Sequence, residues 1–303
     1  MGKVHIKPSP FIHRPDRGTT NNYKHRKNPM TPAVHEKNWT RAWQEAMAWS
    51  RPDSPYKNAA FWDGRAREFA AHQEHKSDYP RQFMSLLELK KDWTVLDVGC
   101  GPGTLAVPLS KRVAAVTAMD FSRGMLDILS DRIQGEKITG IVPVQAHWEE
   151  NWEALGIEPH DVVIASRSLV VPDLEAMLLK LGRFAREKVY LSTMVNPGPF
   201  DPQIIEAAGR IYRPGPDYIY VINQLHSMGI HARLDYTVHP INRIYDGPDD
   251  ALEESRWMVN DMTADEEERL RRFFQDNLVR HNGHWLLPRK EPVRWAVLNW
   301  EPE

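Results

Sequence analysis

The most informative stretch of the chain is Thr94-Val95-Leu96-Asp97-Val98-Gly99-Cys100-Gly101-Pro102-Gly103. It begins as a short run of β-branched and apolar residues, which is typical of a buried parallel strand. It then opens into three glycines at alternate positions, where the backbone can take positive φ angles and approach a ligand closely because no Cβ is present. A helix predicted over residues 104–112 would point its first N–H groups at the same place. The pattern therefore predicts a strand, a ligand-binding turn and a helix in succession.

A second acid marks the tip of the next predicted strand. Asp120 ends the apolar run 114–119 and lies about twenty residues beyond the glycine turn. A carboxylate at that position of an α/β sheet can accept hydrogen bonds from both hydroxyls of a ribose. The two acids and the turn together indicate a ligand that contains a nucleoside.

The spacing of the glycines separates two classes of nucleoside cofactor. Dinucleotide sites use Gly-x-Gly-x-x-Gly, whereas this turn reads Gly99-x-Gly101-x-Gly103 and continues with Thr104. Asp97, two residues before the first glycine, would repel a pyrophosphate but suits a ligand that carries an ammonium group. A nicotinamide dehydrogenase is therefore disfavoured.

Composition limits the class of protein further. The 303 residues are 41% hydrophobic and carry a formal net charge of −2, so there is no general electrostatic reason to expect a nucleic-acid partner. No apolar run reaches the roughly 20 residues that span a bilayer, and no membrane partner is expected. Cys100 is the only cysteine, which excludes an internal disulfide and a multi-cysteine metal site and makes a reducing cytoplasm the expected compartment.

Three regions are predicted along the chain. Residues 1–36 are polar, basic and rich in proline, and we expect a disordered tail there. Residues 37–90 carry aromatic residues near helical spacing and are expected to form an N-terminal helical cap. Residues 91–303 are expected to form an α/β domain with a highly charged insertion at 246–282.

Strand and helix patterns alternate through the α/β domain. Strands are predicted at 94–98, 114–119, 140–145, 161–166, 188–194, 233–239 and 293–300, and helices at 104–112, 122–133, 173–185, 203–211 and 217–228. This alternation predicts a doubly wound, Rossmann-like sheet of about seven strands with helices on both faces. The last strand follows the helical insertion by a short return rather than a crossover helix, so we expect it to be antiparallel.

At these residues the chain resembles the class I S-adenosylmethionine-dependent methyltransferases. Their first motif is a hydrophobic strand running into Asp-x-Gly-x-Gly-x-Gly, which residues 95–103 match, and their second is a strand ending in an acid, which residues 116–120 match. The resemblance follows the element order over residues 60–300 and is specific at residue level over 94–126. It implies that residues 91–303 are a methyltransferase domain, that S-adenosyl-L-methionine is the cofactor, and that its methyl group is transferred in line.

The resemblance also implies a set of cofactor-binding residues. The glycine turn would pass close to the methionine part of the cofactor, with Asp97 supporting the ammonium group and Asp120 binding the ribose. His147 stands where the family usually has an acid that accepts from the adenine amino group, so His147 or Gln145 could replace that acid, or Trp148 could stack on the base. The full set is Asp97, Gly99, Cys100, Gly101, Gly103, Asp120, Phe121 against the adenine, His147, Trp148, and Ser166 facing the methyl group.

The residues that act on the methyl acceptor leave no comparable pattern. The candidates for catalysis are His147, Arg167 and His226. Arg167 follows a parallel strand at the edge where doubly wound sheets bind ligands, and it could bind an acidic substrate. Late insertions commonly cover the acceptor pocket in this family, so 246–282 is expected to be a lid or a dimer arm. No complete set of metal ligands is recognisable, and no metal is expected.

A small molecule is the expected acceptor, because the helical cap and the late insertion could together enclose one. The basic tail supports a second hypothesis, in which the acceptor is RNA or protein, although the net charge disfavours nucleic acid. A third hypothesis is a catalytically inactive cofactor-binding protein, which the departure at His147 allows. A homodimer remains open on the sequence alone.

Overall fold

The computed structural model describes residues 37–50, 58–76, 78–239, 244–289 and 291–302, so the tail predicted at 1–36 lies outside the described residues. The helices are α1 Trp39–Ser50, α2 Ala59–Lys76, α3 Tyr79–Ser85, α4 Ala106–Ser110, α5 Arg123–Gly135, α6 Leu174–Phe184, α7 Pro202–Ala207, α8 Tyr218–Ser227, α9 Pro248–Ser255 and α10 Ala264–Asn277. The strands are β1 Thr94–Val98, β2 Ala115–Asp120, β3 Ile141–Gln145, β4 His160–Ser166, β5 Ala185–Met194, β6 Arg233–His239, β7 Ile244–Tyr245, β8 Val279–His281, β9 His284–Leu286 and β10 Val293–Trp300.

Seven strands form one sheet in the order β3-β2-β1-β4-β5-β10-β6. Neighbours from β3 to β5 pair in parallel. The last strand of the chain, β10, is antiparallel to both β5 and β6. The predicted fold class is therefore confirmed, including the reversed final strand. The strand order changes direction between β1 and β4, which is where such sheets bind ligands.

The sheet is covered on both faces because its strands bury side chains in alternation. Leu96 and Val98 join one core cluster, to which α1, α6 and α8 contribute. Val95, between them in the chain, joins the cluster that contains residues of α3, α4 and α5. The cap predicted at 37–90 thus supplies helices to both faces of the sheet, while its boundary with the α/β domain stays a prediction.

Local sequence signals set the bounds of several helices. The side chains of Ser122 and Asp173 accept hydrogen bonds from the third residues of α5 and α6, respectively, and so begin these helices. Two helices are shorter than their predicted ranges by more than two residues: α4 covers Ala106–Ser110 rather than 104–112, and α7 covers Pro202–Ala207 rather than 203–211. In α7, which ends at Ala207, the break comes just before Gly209, whose φ of +89° is outside the helical range.

A separate core lies in what we call the late subdomain, residues 200–208 and 244–287. Its helices α7, α9 and α10 pack with the three-stranded sheet β7-β9-β8. The sequence predicted a helical insertion there, whereas the structure also contains this small sheet. Its strands are two or three residues long, too short for alternation to distinguish them from loops. The buried residues that hold the late subdomain together include Ile204, Tyr245, Leu252, Leu270, Phe274 and Leu287.

The two edge strands of the main sheet differ in how they end the hydrogen-bond ladder. At one edge, β3 contains Pro143, which has no backbone N–H to offer. At the other, the side-chain amide of Gln82 donates to the carbonyl of Val238 in β6 and accepts from its N–H, each at 2.8 Å.

Among the described residues, no helix combines the length and the apolar character that crossing a membrane requires.

Candidate active site

The glycine turn follows β1 and has positive φ angles at all three glycines, +73° at Gly99, +55° at Gly101 and +82° at Gly103. Two of these positions are glycine for packing reasons. A Cβ on Gly99 would lie 2.3 Å from the Cβ of Ser168, and one on Gly103 would lie 2.4 Å from Cδ1 of Leu129. A Cβ on Gly101 would have Cε1 of Phe69 as its nearest neighbour, at 3.9 Å. Of the three glycines, this one therefore leaves open space for a ligand.

The carboxylate of Asp120 is fixed at the tip of β2 by backbone donors. One oxygen accepts the N–H of Gly101 at 2.8 Å and the other accepts the N–H of Ser122 at 2.9 Å. The side chain is 5% exposed. Burial raises the pKa of Asp120, and these backbone hydrogen bonds oppose the rise. Each oxygen keeps a further lone pair, so the carboxylate can still accept two hydroxyl groups.

Asp97 is the least satisfied polar group of the site. Its side chain is 1% exposed, and its Oδ2 has no hydrogen-bond partner among the described residues. Burial, with a further contribution from the charge of Asp120, raises its pKa to about 7. A buried carboxylate without a partner is costly, and a cationic group placed beside it would remove that cost and lower its pKa.

These groups line one open cavity, with about 990 Å³ of atom-free space that is partly continuous with solvent. Nine of the ten residues assigned to the cofactor from the sequence lie in its lining, and Gly103 does not. His147 lies at the rim with its ring 5.4 Å from that of Phe121, and its side chain is 40% exposed. The cavity residues from the prediction are Asp97, Gly99, Cys100, Gly101, Asp120, Phe121, His147, Trp148 and Ser166.

Helix α2 closes one side of the cavity through Trp62 and Phe69. It is fastened to the start of α5 by Asp63, whose Oδ1 accepts the hydroxyl of Ser122 at 2.6 Å and the N–H of Gly124 at 2.8 Å. A Cβ on Gly124 would lie 2.9 Å from the Cα of Asp63, so the glycine allows this close approach. Trp62 and Phe69 were missed as site residues because they are seven residues apart, a spacing that any two residues on one face of a helix share.

The far side of the cavity is formed by Tyr79, Ser166 and Arg167. The hydroxyls of Tyr79 and Ser166 share a short hydrogen bond of 2.5 Å. The guanidinium carbon of Arg167 lies 3.9 Å from the centroid of the Tyr79 ring. Tyr79 begins α3, far from the motifs in sequence, and no signal in the chain marked it as a site residue.

The third catalytic candidate, His226, lies elsewhere. It is in the last turn of α8, which runs back across the sheet to the start of β6, the edge opposite the glycine turn. Its ring faces His231 at 6.1 Å, and it is not part of the cavity lining. His147 and Arg167 are thus the two candidates that the structure brings to the cavity. In the described part of the chain, no cluster of three or more His, Cys, Asp or Glu side chains could hold a metal ion.

Comparison with known proteins agrees with this geometry. The family model described as a methyltransferase domain matches residues 95–188, which contain the glycine turn and Asp120. An uncharacterized protein of Haemophilus influenzae is 32% identical over 247 residues, 79% of this chain and 88% of that protein. The chain belongs to the class I S-adenosylmethionine-dependent methyltransferases. Its sheet order and reversed final strand are those of a Rossmann-like member of this family.

Two further similarities concern this methyltransferase. Magnesium-protoporphyrin O-methyltransferase of Rhodobacter capsulatus is 37% identical over 95 residues, which is 29% of this chain and 39% of that enzyme. The crystal structure of a proposed methyltransferase from Bacillus halodurans is 16% identical with a TM-score of 0.50, covering 75% of this chain and 99% of that one. At such low identity the second similarity shows the fold alone.

Proposed function

We propose that the protein binds S-adenosyl-L-methionine in this cavity and transfers its methyl group to a small molecule. The observation that carries the proposal is the unpartnered Oδ2 of Asp97, buried in the cavity beside the glycine turn. The ammonium group of the methionine part is the cation that this carboxylate fits. A pyrophosphate at the same place would add negative charge beside this carboxylate.

The other residues of the cavity fit the rest of the cofactor. Asp120 can accept the two ribose hydroxyls with the lone pairs that the backbone leaves free. Phe121, His147 and Trp148 offer flat surfaces and polar ring atoms to the adenine at the rim. Gly101 lets the chain pass close to the methionine part. When bound, the cofactor supplies an activated methyl group on a sulfonium, which is a good leaving group.

The chain itself therefore has mainly to align the acceptor and to keep water away. The hydroxyl of Ser166, at the position expected to face the methyl group, is hydrogen-bonded to that of Tyr79, and both residues lie in the cavity wall next to Arg167. Trp62 and Phe69 of α2 form another part of the wall. Such a walled space suits a small acceptor, as the name of the Rhodobacter relative also suggests for that enzyme. Alignment of the reacting atoms is a large part of what an enzyme contributes to in-line displacement.

The late subdomain supports the role of a cover that the sequence suggested for residues 246–282. Its first segment follows β5, and its second segment lies between β6 and β10. Because β10 is antiparallel to both β5 and β6, both segments start from the edge of the sheet that carries the glycine turn. A dimer arm is the alternative. Chemical crosslinking of the purified protein, with and without S-adenosylhomocysteine, separates the two, because a cover changes its crosslinks within one chain and an arm gives crosslinks between chains.

Titration calorimetry with S-adenosylhomocysteine tests the cofactor assignment. We expect binding by the unchanged protein. We expect Asp120→Ala to weaken it by about 1–3 kcal/mol, or roughly 5- to 150-fold, because ribose hydroxyls lose a buried acceptor. Asp127→Ala is the matched control, since Asp127 is exposed on α5 and pairs with Arg123. Absence of binding at tens of micromolar, or equal affinity in both variants, would contradict the assignment.

A further inference from the structure

Arg167 occupies an unusual position just beyond the end of β4. Its backbone N–H donates to the carbonyl of Ser192 in β5 at 2.9 Å. Its φ is +57°, in the left-handed region that residues other than glycine seldom adopt. Strained residues of this kind persist where the surrounding structure holds them, and they concentrate at functional sites. The conformation places a charged side chain in the wall of the cavity.

Aromatic rings hold the guanidinium of Arg167. It lies 3.9 Å from the ring centroid of Tyr79 and 5.4 Å from that of Trp295 in β10. His239, at the end of β6, completes this group, with its ring 5.6 Å from the Tyr79 ring. We call Tyr79, Arg167, His239 and Trp295 the arginine cluster. Stacking on rings orients a guanidinium and fixes the plane in which its N–H groups lie.

The charge of Arg167 does not neutralise the acid at the other end of the cavity. A cation in contact with Asp97 would lower the pKa of that carboxyl, yet burial and Asp120 raise it to about 7. Tyr79, whose hydroxyl is hydrogen-bonded to that of Ser166, interacts electrostatically with both Arg167 and Asp97. Burial raises the pKa of Tyr79 most. The charge of Arg167 opposes this rise, and the charge of Asp97 adds to it. The cavity therefore has an acidic end and a basic end.

We propose that Arg167 binds an oxyanion of the methyl acceptor, a carboxylate or a phosphate, and that the acceptor is a small organic anion. A planar guanidinium fits either group through paired N–H donors. Burial strengthens the attraction relative to water, and burial lowers the pKa of Arg167, so an anion beside it offsets a cost already present. The inference rests on the proposed function, because it assigns the cofactor to the acidic end.

The sheet order favours the acceptor over the cofactor as the source of this anion. The cofactor residues Asp97 and Asp120 are on β1 and β2. In the arginine cluster, Arg167 directly follows β4, and its neighbours Trp295 and His239 are on β10 and β6, on the side of β4 away from β1 and β2. The methionine carboxylate of the cofactor has the same chemistry, however, and the experiment has to separate the two sources.

The first measurement is calorimetry of S-adenosylhomocysteine with the unchanged protein, Arg167→Gln and Arg167→Lys. We expect affinities within about threefold of one another, which also shows that the variants fold. Arg186→Gln is a matched control, because Arg186 begins β5 at the opposite edge of the sheet. A tenfold or greater loss in Arg167→Gln, with unchanged affinity for 5′-methylthioadenosine, which lacks the carboxylate, would assign the anion to the cofactor and overturn the proposal.

The second measurement uses anions as probes of the protein saturated with S-adenosylhomocysteine. Ligand-observed NMR is recorded with benzoate, with inorganic phosphate and with neutral benzamide. We expect at least one anion to bind in the millimolar range, and at least tenfold more weakly to Arg167→Gln than to Arg186→Gln, while benzamide shows no such difference. Equal binding of both anions to the two variants, or binding of neither anion to the unchanged protein, would overturn the proposal.

The third measurement follows labelled methyl transfer to metabolites that have been separated on an anion-exchange resin. We expect the acceptor in the retained fraction, with kcat/KM reduced at least 30-fold in Arg167→Gln and unchanged in Arg186→Gln. An acceptor in the unretained fraction would overturn the proposal. Failure of S-adenosylhomocysteine to bind the unchanged protein contradicts the proposed function instead, so the two failures are distinguishable.

Discussion

The two ends of the cavity are built in different ways. The acidic end comes from one continuous piece of chain, β1, the glycine turn and β2, which ends at Asp120. At the basic end, Tyr79 of α3 and Arg167 after β4 line the cavity. His239 of β6 and Trp295 of β10 pack against these two side chains from elements that adjoin only in the folded protein. The first end offers a ligand its backbone at Gly101 as well as the carboxylates of Asp97 and Asp120, whereas the second offers side chains.

This difference explains why the acidic end could be predicted from the sequence and the basic end could not. Close approach of a backbone requires glycine, and a helix start requires fixed spacing, so both leave a pattern. A stacked arginine requires only that several ordinary residues converge.

The largest expected effect tests whether the glycine turn is built for packing as well as for binding. Gly99→Ala should lower the free energy of unfolding by about 2–5 kcal/mol, from a left-handed backbone and from overpacking against Ser168. Gly101→Ala should cost only about 1–2 kcal/mol, because its Cβ meets open space, yet it should weaken S-adenosylhomocysteine. Urea denaturation and calorimetry measure the two. Equal stability of the variants would show that the turn does not separate these roles.

A smaller effect should appear in the pH dependence of cofactor binding at the acidic end. The pKa of Asp97 is raised to about 7 in the ligand-free protein, whereas binding an ammonium group requires the ionised carboxylate. Affinity for S-adenosylhomocysteine should therefore fall roughly tenfold between pH 7.5 and pH 6. 5′-Methylthioadenosine has no ammonium group and serves as the control. A pH-independent affinity for S-adenosylhomocysteine would remove Asp97 from the ammonium site.

The same titration has the opposite consequence for stability. Because the folded protein holds the Asp97 proton more tightly than the unfolded chain, this group favours folding fully below the unfolded pKa, near 3.8. That contribution declines as pH rises towards about 7. Through Asp97, the ligand-free protein should therefore lose stability as pH rises over this range. The cofactor-bound protein should keep its stability.

The smallest effect concerns the late subdomain, where Glu266 caps α10 and pairs with Arg210. The Arg210 guanidinium and the N–H of Thr263 lower the pKa of Glu266 to about 2, so its contribution is present above about pH 4.5 and is lost as pH falls towards 2. Glu266→Gln should cost about 1 kcal/mol because solvent screens the pair. The half-exposed Glu268 gives the control variant Glu268→Gln. A change in S-adenosylhomocysteine affinity in Glu266→Gln alone would show that the late subdomain and the acidic end are coupled.

The sequence predicted most of the strands and helices, which have a regular residue pattern. It predicted little of the site that forms where side chains from distant parts of the chain meet. Strand β1 at 94–98 and strand β10 at 293–300 have the predicted bounds, because long alternating or apolar runs carry their own signal. The strands β7, β8 and β9 are too short to carry one. His226 was a candidate only by residue type, and its place at the far edge follows from the direction of α8, which becomes visible only once the order of the strands is known.

The two edge strands of the main sheet, β3 and β6, affect whether another chain can add a strand to the sheet. A strand from a second molecule could extend the sheet only at β3 or at β6. At β3 it would meet Pro143, which cannot donate, and at β6 it would have to displace the amide of Gln82, which already occupies both backbone groups of Val238. One glutamine side chain thus takes the place of a neighbouring strand. Amyloid-like stacking and strand exchange, two common failures of open sheets, are opposed at both of these positions.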